Sequence, residues 1–301
     1  MQALPNEKVG WGWTVARLPL LILVISVLLP YYWMAIGSFK TVPELVQQPP
    51  TFIVENPTLQ NFHDPGFKEG ESRPGHWAGV MQRQTDGKGF LHYYANSLVI
   101  TLFVTALSLL AASLVAFVLT KRPFPGSRFL FYMLLASMMV PWEVTIIPNF
   151  IMVTDLGWID SYKALMVPGL AKAFVVFYFR QMMLSIPNDL IDAATMDGAG
   201  TFRIWWSVVL PLTRPGLAAI GIPVAIAEWN NFLWPLLVIN DSAHMTLPLM
   251  LGKLAGNLTY DPQSAGVLMA ASMAVSLPAI AAFLVFQKQF IDGLTTGALK
   301  G

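Results

Sequence analysis

Apolar runs long enough to cross a bilayer alternate with polar breaks along most of this chain. A membrane-spanning helix needs about 20 apolar residues. Six runs meet that length, at about 18–39, 93–119, 129–150, 162–183, 215–239 and 265–286. The pattern predicts an all-α integral membrane protein with six transmembrane helices. Prolines mark weak points: Pro141 and Pro148 interrupt the third run, and Pro223 and Pro235 bracket part of the fifth. Lys40, at the end of the first run, is placed to lift its ammonium to the membrane surface along its apolar stem. Lys8 and Arg17 precede that run as in a signal peptide, but its length and the lack of a small-residue cleavage site make it a retained span.

Charge changes the picture in two ways. Charged residues are 12% of the chain against 55% apolar, about half the charged share of a soluble domain. The net charge of +1 argues against nucleic acid as a partner. The basic residues are also unevenly placed. Lys8, Arg17, Lys121, Arg122, Arg128, Arg180, Arg203, Arg214, Lys288 and Lys300 fall on one side, while 151–161 has none and Lys253 stands alone between the last two runs. Positive charge gathers on the cytoplasmic side, so both termini and the stretch around Asp192 are expected there. The polar stretch 41–92 falls outside and nearly balances its charges. It is longer than a helix connection needs. It reads either as a small cap with Trp77 and Phe90 as core, in contact with an external binding protein, or as a solvated connector.

No enzyme constellation is present. The chain has no cysteine, which removes disulfides, thiol catalysis and thiolate metal sites. His63, His76, His92 and His244 lack metal-ligand spacing, and no glycine-rich phosphate loop occurs. The expectation is a non-catalytic chain with no metal and no cofactor of its own.

The most informative polar stretch is Asp192 to Pro215, DAATMDGAGTFRIWWSVVLPLTRP. Ser185 and Pro187 ahead of it read as a helix start, serine capping free amides and proline suiting the first turn. Asp197-Gly198 reads as a helix stop, because glycine tolerates the left-handed conformation. A second short helix restarts near Thr201 and runs to the Leu210-Pro211 break. Such a helix, turn and helix at a membrane face is a loop or a docking surface, and the small Ala193 and Ala194 favour docking.

At these residues the chain resembles importer permeases of the ATP-binding-cassette type. Their coupling loop reads Glu-Ala-Ala, three residues, Gly-Ala, then Leu-Pro and a further Pro. Asp192, Ala193, Ala194, Asp197, Gly198, Ala199, Leu210, Pro211 and Pro215 follow that order, with Asp192 where the family has Glu. Asn96-Ser97, Pro141 to Pro148, and Leu156-Gly157 with Asp160-Ser161 are similar to family segments. The run Trp229 to Pro235 resembles the fifth-span signature of the carbohydrate branch, with Asn231 in place of Glu. The tail GLTTGALKG resembles that of maltose-type permeases, the smaller partner in particular. The resemblance covers the chain from about residue 94 onward.

It implies a sugar importer, for a di- or oligosaccharide, working by alternating access in the inner membrane of a prokaryote. It also implies a second homologous permease, two ATPase subunits holding ATP and Mg, an external sugar-binding protein and surrounding lipid. The implied organisation is a tail and first span at 1–40, an external loop at 41–92, a permease core at 93–287 with the coupling loop at 185–215, and a cytoplasmic tail at 288–301. Asp192, Ala193, Ala194, Asp197, Gly198 and Ala199 would meet the ATPase. Other solutes, such as glycerol phosphodiesters or polyamines, remain open. A stand-alone secondary transporter would need buried acids along several spans or inverted repeats, and neither is visible.

Polar residues at membrane depth are costly and face a cavity or a partner. Glu228 lies about 13 residues beyond Pro215, roughly 20 Å along a helix. Glu228, Trp229, Asn230 and Asn231 have two readings: a sugar pathway, or hydrogen bonds to the second permease chain. Lys172, midway along the fourth span, lines a cavity or pairs with Glu143.

Overall fold

The computed structural model describes residues 11–62, 88–256 and 264–298, and every regular element among them is helical. In chain order these are α1 (Trp11–Ser38), α2 (Val42–Val46), α3 (Phe90–Lys121), α4 (Ser127–Ser137), α5 (Trp142–Asp155), α6 (Tyr162–Met166), α7 (Ala173–Leu184), α8 (Asn188–Met196), α9 (Thr201–Ile204), α10 (Leu210–Leu212), α11 (Arg214–Trp229), α12 (Leu233–Val238), α13 (Leu247–Gly256) and α14 (Ala265–Ala298). Four stretches are long and apolar enough to cross a membrane alone: Arg17–Ser38, Phe90–Lys121, Tyr162–Leu184 and Ala265–Ala282. Two pairs qualify only together, α4 with α5 across a 103° bend, and Thr201–Leu212 with α11 across an 80° bend.

The chain divides into two compact units, one within Met1–Gln84 and Leu254–Ser276, the other within Thr85–Lys253 and Leu277–Gly301. In the first unit, α1 is exposed at every position from 17 to 32 although these are mostly apolar. A helix apolar on all sides belongs in lipid or against another chain. The end of α1 is tied down by polar groups. Lys40 does not reach for the surface as expected; it is 1% exposed. Its Nζ donates to the Thr51 carbonyl and hydroxyl and lies 5.3 Å from the Trp33 ring centre. Buried Glu44 accepts the Glu55 and Asn56 amides, and buried Asn61 donates to the Ser38 and Lys40 carbonyls. These bonds use up the charges that would otherwise draw the chain into water. Residues 40–62 are therefore folded in place. Trp77 lies outside the described residues, and Phe90 begins α3, half-buried.

The second unit is built around α3, along which both α7 and α11 pack. One face of α3 supplies Leu109, Ala112, Ala116 and Phe117, which meet Val175, Val176, Phe179 and Met183 of α7 and Ile220 and Val224 of α11. Small residues let the backbones approach. Met182 of α7 lies directly on Gly216 of α11, where a methyl group would have to displace its sulfur.

Several boundaries differ from expectation, each for a local reason. The third apolar run is two helices, because Pro141 has no amide to donate and disfavours helical backbone at the residue before it. Pro148, expected to interrupt as well, sits inside α5. The fourth run breaks at a 3₁₀ turn, Pro168–Leu170, so Lys172 caps α7 and does not lie mid-helix. The fifth run pauses at 230–232 before α12, while Pro223 stays inside α11. The last helix continues past 286 to Ala298. Ser185 does not start a helix. It ends α7, and its hydroxyl donates back to the Met182 carbonyl at 2.7 Å. Pro187 then caps α8.

Candidate functional site: an elbow and a break at opposite ends of two spans

Between α7 and α11 the chain makes an elbow from α8 to α10. Its turn is a complete hydrogen-bonded helix stop. The Ala199 amide donates to the Ala194 carbonyl and the Gly198 amide to the Thr195 carbonyl, both at 3.0 Å. This six-to-one and five-to-two pairing is the Schellman arrangement, and it needs a left-handed residue after the cap. Gly198 supplies it at φ +80°, a conformation that costs an L-residue about 1–2 kcal/mol. Ala194 and Ala199, the two residues the turn brings together, both pack against the core of the second unit. The Ala-Ala and Gly-Ala pattern thus has a physical basis.

One side of the elbow is fixed to α3 and the other is open. Ile191, Ile204, Trp205 and Val209 are buried in the core, and Trp205 Nε1 donates to Ser113 Oγ at 3.3 Å. At the end of α3, Lys121 donates to the Ile186 carbonyl at 2.5 Å and to Asn188 Oδ1 at 2.9 Å, and Arg122 donates to Thr195 Oγ1 at 2.5 Å. These bonds hold both ends of α8. Pro211 has no amide for the Ser207 carbonyl, and the helix widens to a π turn over Trp205–Val209 before continuing to Leu212. The expected break at Leu210-Pro211 is therefore a widened turn, and the chain changes direction at Thr213. Outward, Asp192, Ala193, Met196, Asp197 and Gly198 are exposed, as are Phe202 and Trp206. Met196 is 83% and Phe202 63% exposed. The knob thus shows apolar side chains around a helix of small residues.

At the other end of α7 and α11, Lys172 Nζ lies 2.6 Å from Glu228 Oε1, with the two side chains 24% and 9% exposed. The expected pairing with Glu143 is replaced, because α11 and not α5 lies beside the break in the fourth span. Trp229 is 5% exposed, its ring edge-on to Tyr94 at 5.3 Å between centres. Asn230 is exposed and caps α11; Asn231 is half-buried. Among the described residues, neither asparagine side chain has a hydrogen-bond partner. Of the four residues expected to form a pathway, two are thus engaged within the chain and two present free amides.

Below this break the loops are sewn to the start of α3. Asn96 donates to the Ala243 and Met245 carbonyls and accepts the Tyr162 hydroxyl at 2.7 Å. Ser97 accepts the Leu247 amide at 2.7 Å. Trp234 Nε1 donates to the Ala164 carbonyl at 2.8 Å. Asp160, left-handed at φ +58°, accepts the Asn240 and Asp241 amides. Burial pushes its carboxyl up, but those amides and the nearby His244 outweigh it, and the group sits below the usual carboxylate value. Asn96-Ser97 and Asp160 are far apart in sequence, yet both bond to the 240–247 loop.

An open groove of about 600 Å³ runs along α11 from Arg214 to Trp229, flanked by Leu98 and Leu102 of α3 and Pro278 and Ala279 of α14. Its walls are almost entirely apolar. Hydroxyl groups placed there would lose hydrogen bonds to water without replacement, so this is no site for a polyol.

Residues 105–292 match the family model described as "Binding-protein-dependent transport system inner membrane component". The chain is 35% identical over 284 residues to the arabinooligosaccharides transport system permease protein of Bacillus subtilis (strain 168), covering 93% of each. It is 30% identical over 280 residues to the sn-glycerol-3-phosphate transport system permease protein of Rhizobium meliloti (strain 1021), covering 93% of this chain and 95% of that one. Among solved structures, a bacterial ABC transporter involved in the import of the acidic polysaccharide alginate matches with a TM-score of 0.77 at 23% identity, over 96% of this chain and 100% of that chain. At that identity the likeness speaks for the fold.

Proposed function

The chain belongs to the family of binding-protein-dependent transport system inner membrane components, and from that premise we propose that it is the permease subunit of an ATP-driven importer carrying a di- or oligosaccharide across the inner membrane. The observation behind this reading is the elbow: a stopped helix with an exposed face, held on the core directly between two spans. Of the two bent pairs, we read α4 with α5 as one span and α11, without the 201–212 stretch that bends away from it, as another; six spans then leave the elbow outside the bilayer. Both termini and the elbow then lie in the cytoplasm. Asp192, Ala193, Ala194, Asp197, Gly198 and Ala199 form the ATPase contact. Small residues admit the wall of a groove, the glycine turn keeps the knob's shape, and α7 and α11 move with it.

The assembly comprises a second homologous permease, two ATPases carrying ATP and Mg, and an external sugar-binding protein. This chain supplies no catalytic group. Asn230 and Asn231 face the solute, because amide side chains pair with hydroxyls as both donors and acceptors. Glu228 and Trp229 hold the backbone around them. The relatives named for glycerol-3-phosphate keep a second reading in view, an organic phosphate as cargo.

The test is uptake by the purified assembly in proteoliposomes with ATP sealed inside, offered labelled arabino-oligosaccharides, maltose and glycerol 3-phosphate with the binding protein. ATP-dependent uptake of a neutral oligosaccharide supports the reading. Uptake of glycerol 3-phosphate alone would replace the cargo, and uptake driven by an ion gradient without ATP would overturn the importer.

A further inference from the structure

Lys172 and Glu228 form, among the described residues, the one carboxylate–ammonium pair joining two different spans. It sits at a particular place. Lys172 caps α7 just after the break at Pro168–Leu170, with extended backbone at φ −114°, ψ 95°. Glu228 is the penultimate residue of α11, just before the pause at 230–232. Both spans are therefore interrupted at the level of the pair, and interrupted helices are where two rods bend or slide independently. Gly169, in the break itself, faces Glu228: a Cβ there would sit 3.8 Å from both carboxylate oxygens and 3.1 Å from Val104 of α3.

The same two spans are joined at two other levels. Near the elbow, Met182 packs on Gly216. Beyond the break, Trp234 donates to the Ala164 carbonyl and Asp160 accepts two amides of the 240–241 loop. Besides the ion pair, the interrupted middle makes contacts of apolar side chains and rings, which shift more easily than a charge leaves its partner. A half-buried ion pair does not slide in that way. Separating it leaves an unpaired charge in a low-dielectric surrounding, a far larger penalty than the pair's own net contribution to stability.

We infer that Lys172 and Glu228 are a positioning pair that locks the fourth and fifth spans into one body, so that displacement of the elbow reaches the Asn230-Asn231 break. This rests on the importer reading and on the elbow as its docking point. The two residues act through the spans and touch neither solute nor nucleotide. An apolar pair in the same place would keep the fold, since replacing both charges by packed side chains is often neutral for stability, but it would let the spans slip.

The test compares assembled transporters in proteoliposomes with Lys172→Met, Glu228→Gln, the apolar double Lys172→Met/Glu228→Met, and the exchange Lys172→Glu/Glu228→Lys. Solute uptake and ATP hydrolysis are measured on the same vesicles. The apolar double should assemble and hydrolyse ATP, with solute carried per ATP reduced at least tenfold. The exchanged pair should recover at least half of the wild-type ratio with KM for the binding protein's solute within twofold. The inference is overturned if the apolar double transports at the wild-type ratio, or if the exchanged pair assembles and remains as defective as the double. A change confined to KM in the exchanged pair would also overturn it, because it would mean direct solute contact. Gly198→Val serves as the separate check on the docking reading: if that variant transports normally, the elbow is wrong whatever the pair does.

Discussion

The two ends of α7 and α11 are held together by different physics. At the elbow end, the bonds that set the turn are local: amides of 198 and 199 return to carbonyls of 195 and 194, and a serine turns back to Met182, while Lys121 and Arg122 anchor the finished turn to α3. At the other end the decisive contacts are remote, Lys172 to Glu228, Trp234 to Ala164, Asn96 to the 243–245 backbone. The elbow is a knob that holds its own shape and could be gripped from outside. The break has a shape only because several elements converge on it, so it can change when they move. A transporter needs both kinds of region, one that transmits a push and one that yields to it.

The largest effect should come from breaking the remote end. Lys172→Met alone leaves the largely covered Glu228 carboxylate without its partner and should destabilise the protein by about 3 kcal/mol. A lowered thermal midpoint of the purified assembly would register it, and the apolar double should recover most of the loss. Next is Gly198→Val. A β-branched residue at φ +80° should cost about 2 kcal/mol, and transport should be abolished with membrane insertion intact, read by uptake and by the amount of protein in membranes. Unchanged uptake would remove the distinction between the two ends. A smaller effect is expected for Thr195→Val, which removes the acceptor for Arg122. It should cost about 1 kcal/mol and loosen α8, seen as faster amide exchange across Asn188–Met196.

The division between local and remote also explains what could be read in advance. The apolar runs, the Gly198 stop and the small residues of the elbow were legible because each depends on neighbours a few residues away. Ser185 is ambiguous in sequence because a serine beside a proline suits either end of a helix, and only the position of the Met182 carbonyl decides. The partner of Lys172 could not be chosen, since hydropathy does not say which span lies beside which. Nor does it report direction: the prolines mark the 129–150 run as interrupted, but not that the chain turns through 103° there. Lys40 looked like a surface anchor because its partners, Thr51 and the Trp33 ring, lie on either side of it in sequence.

The smallest effect concerns the loop beyond the break. The Asp160 carboxyl is held below its ordinary value of 3.8. Its stabilising bonds to the Asn240 and Asp241 amides are thus fully present above that value and are lost as pH falls through the lower folded value. Asp160→Asn should remove this acid dependence while costing less than about 1 kcal/mol at neutral pH, whereas Gly198→Val keeps Asp160 and should lower the midpoint by the same amount at neutral and acid pH. Thermal midpoints of both variants between neutral and acid pH would separate them.

Since the chain has no cysteine of its own, Ala193→Cys places a single thiol on the exposed face of the elbow. The decisive measurement is cross-linking from that thiol in inside-out membrane vesicles containing the whole assembly. The account predicts an adduct with the ATP-hydrolysing subunit whose yield changes when nucleotide is added. A thiol that reacts readily yet never captures that subunit would contradict it.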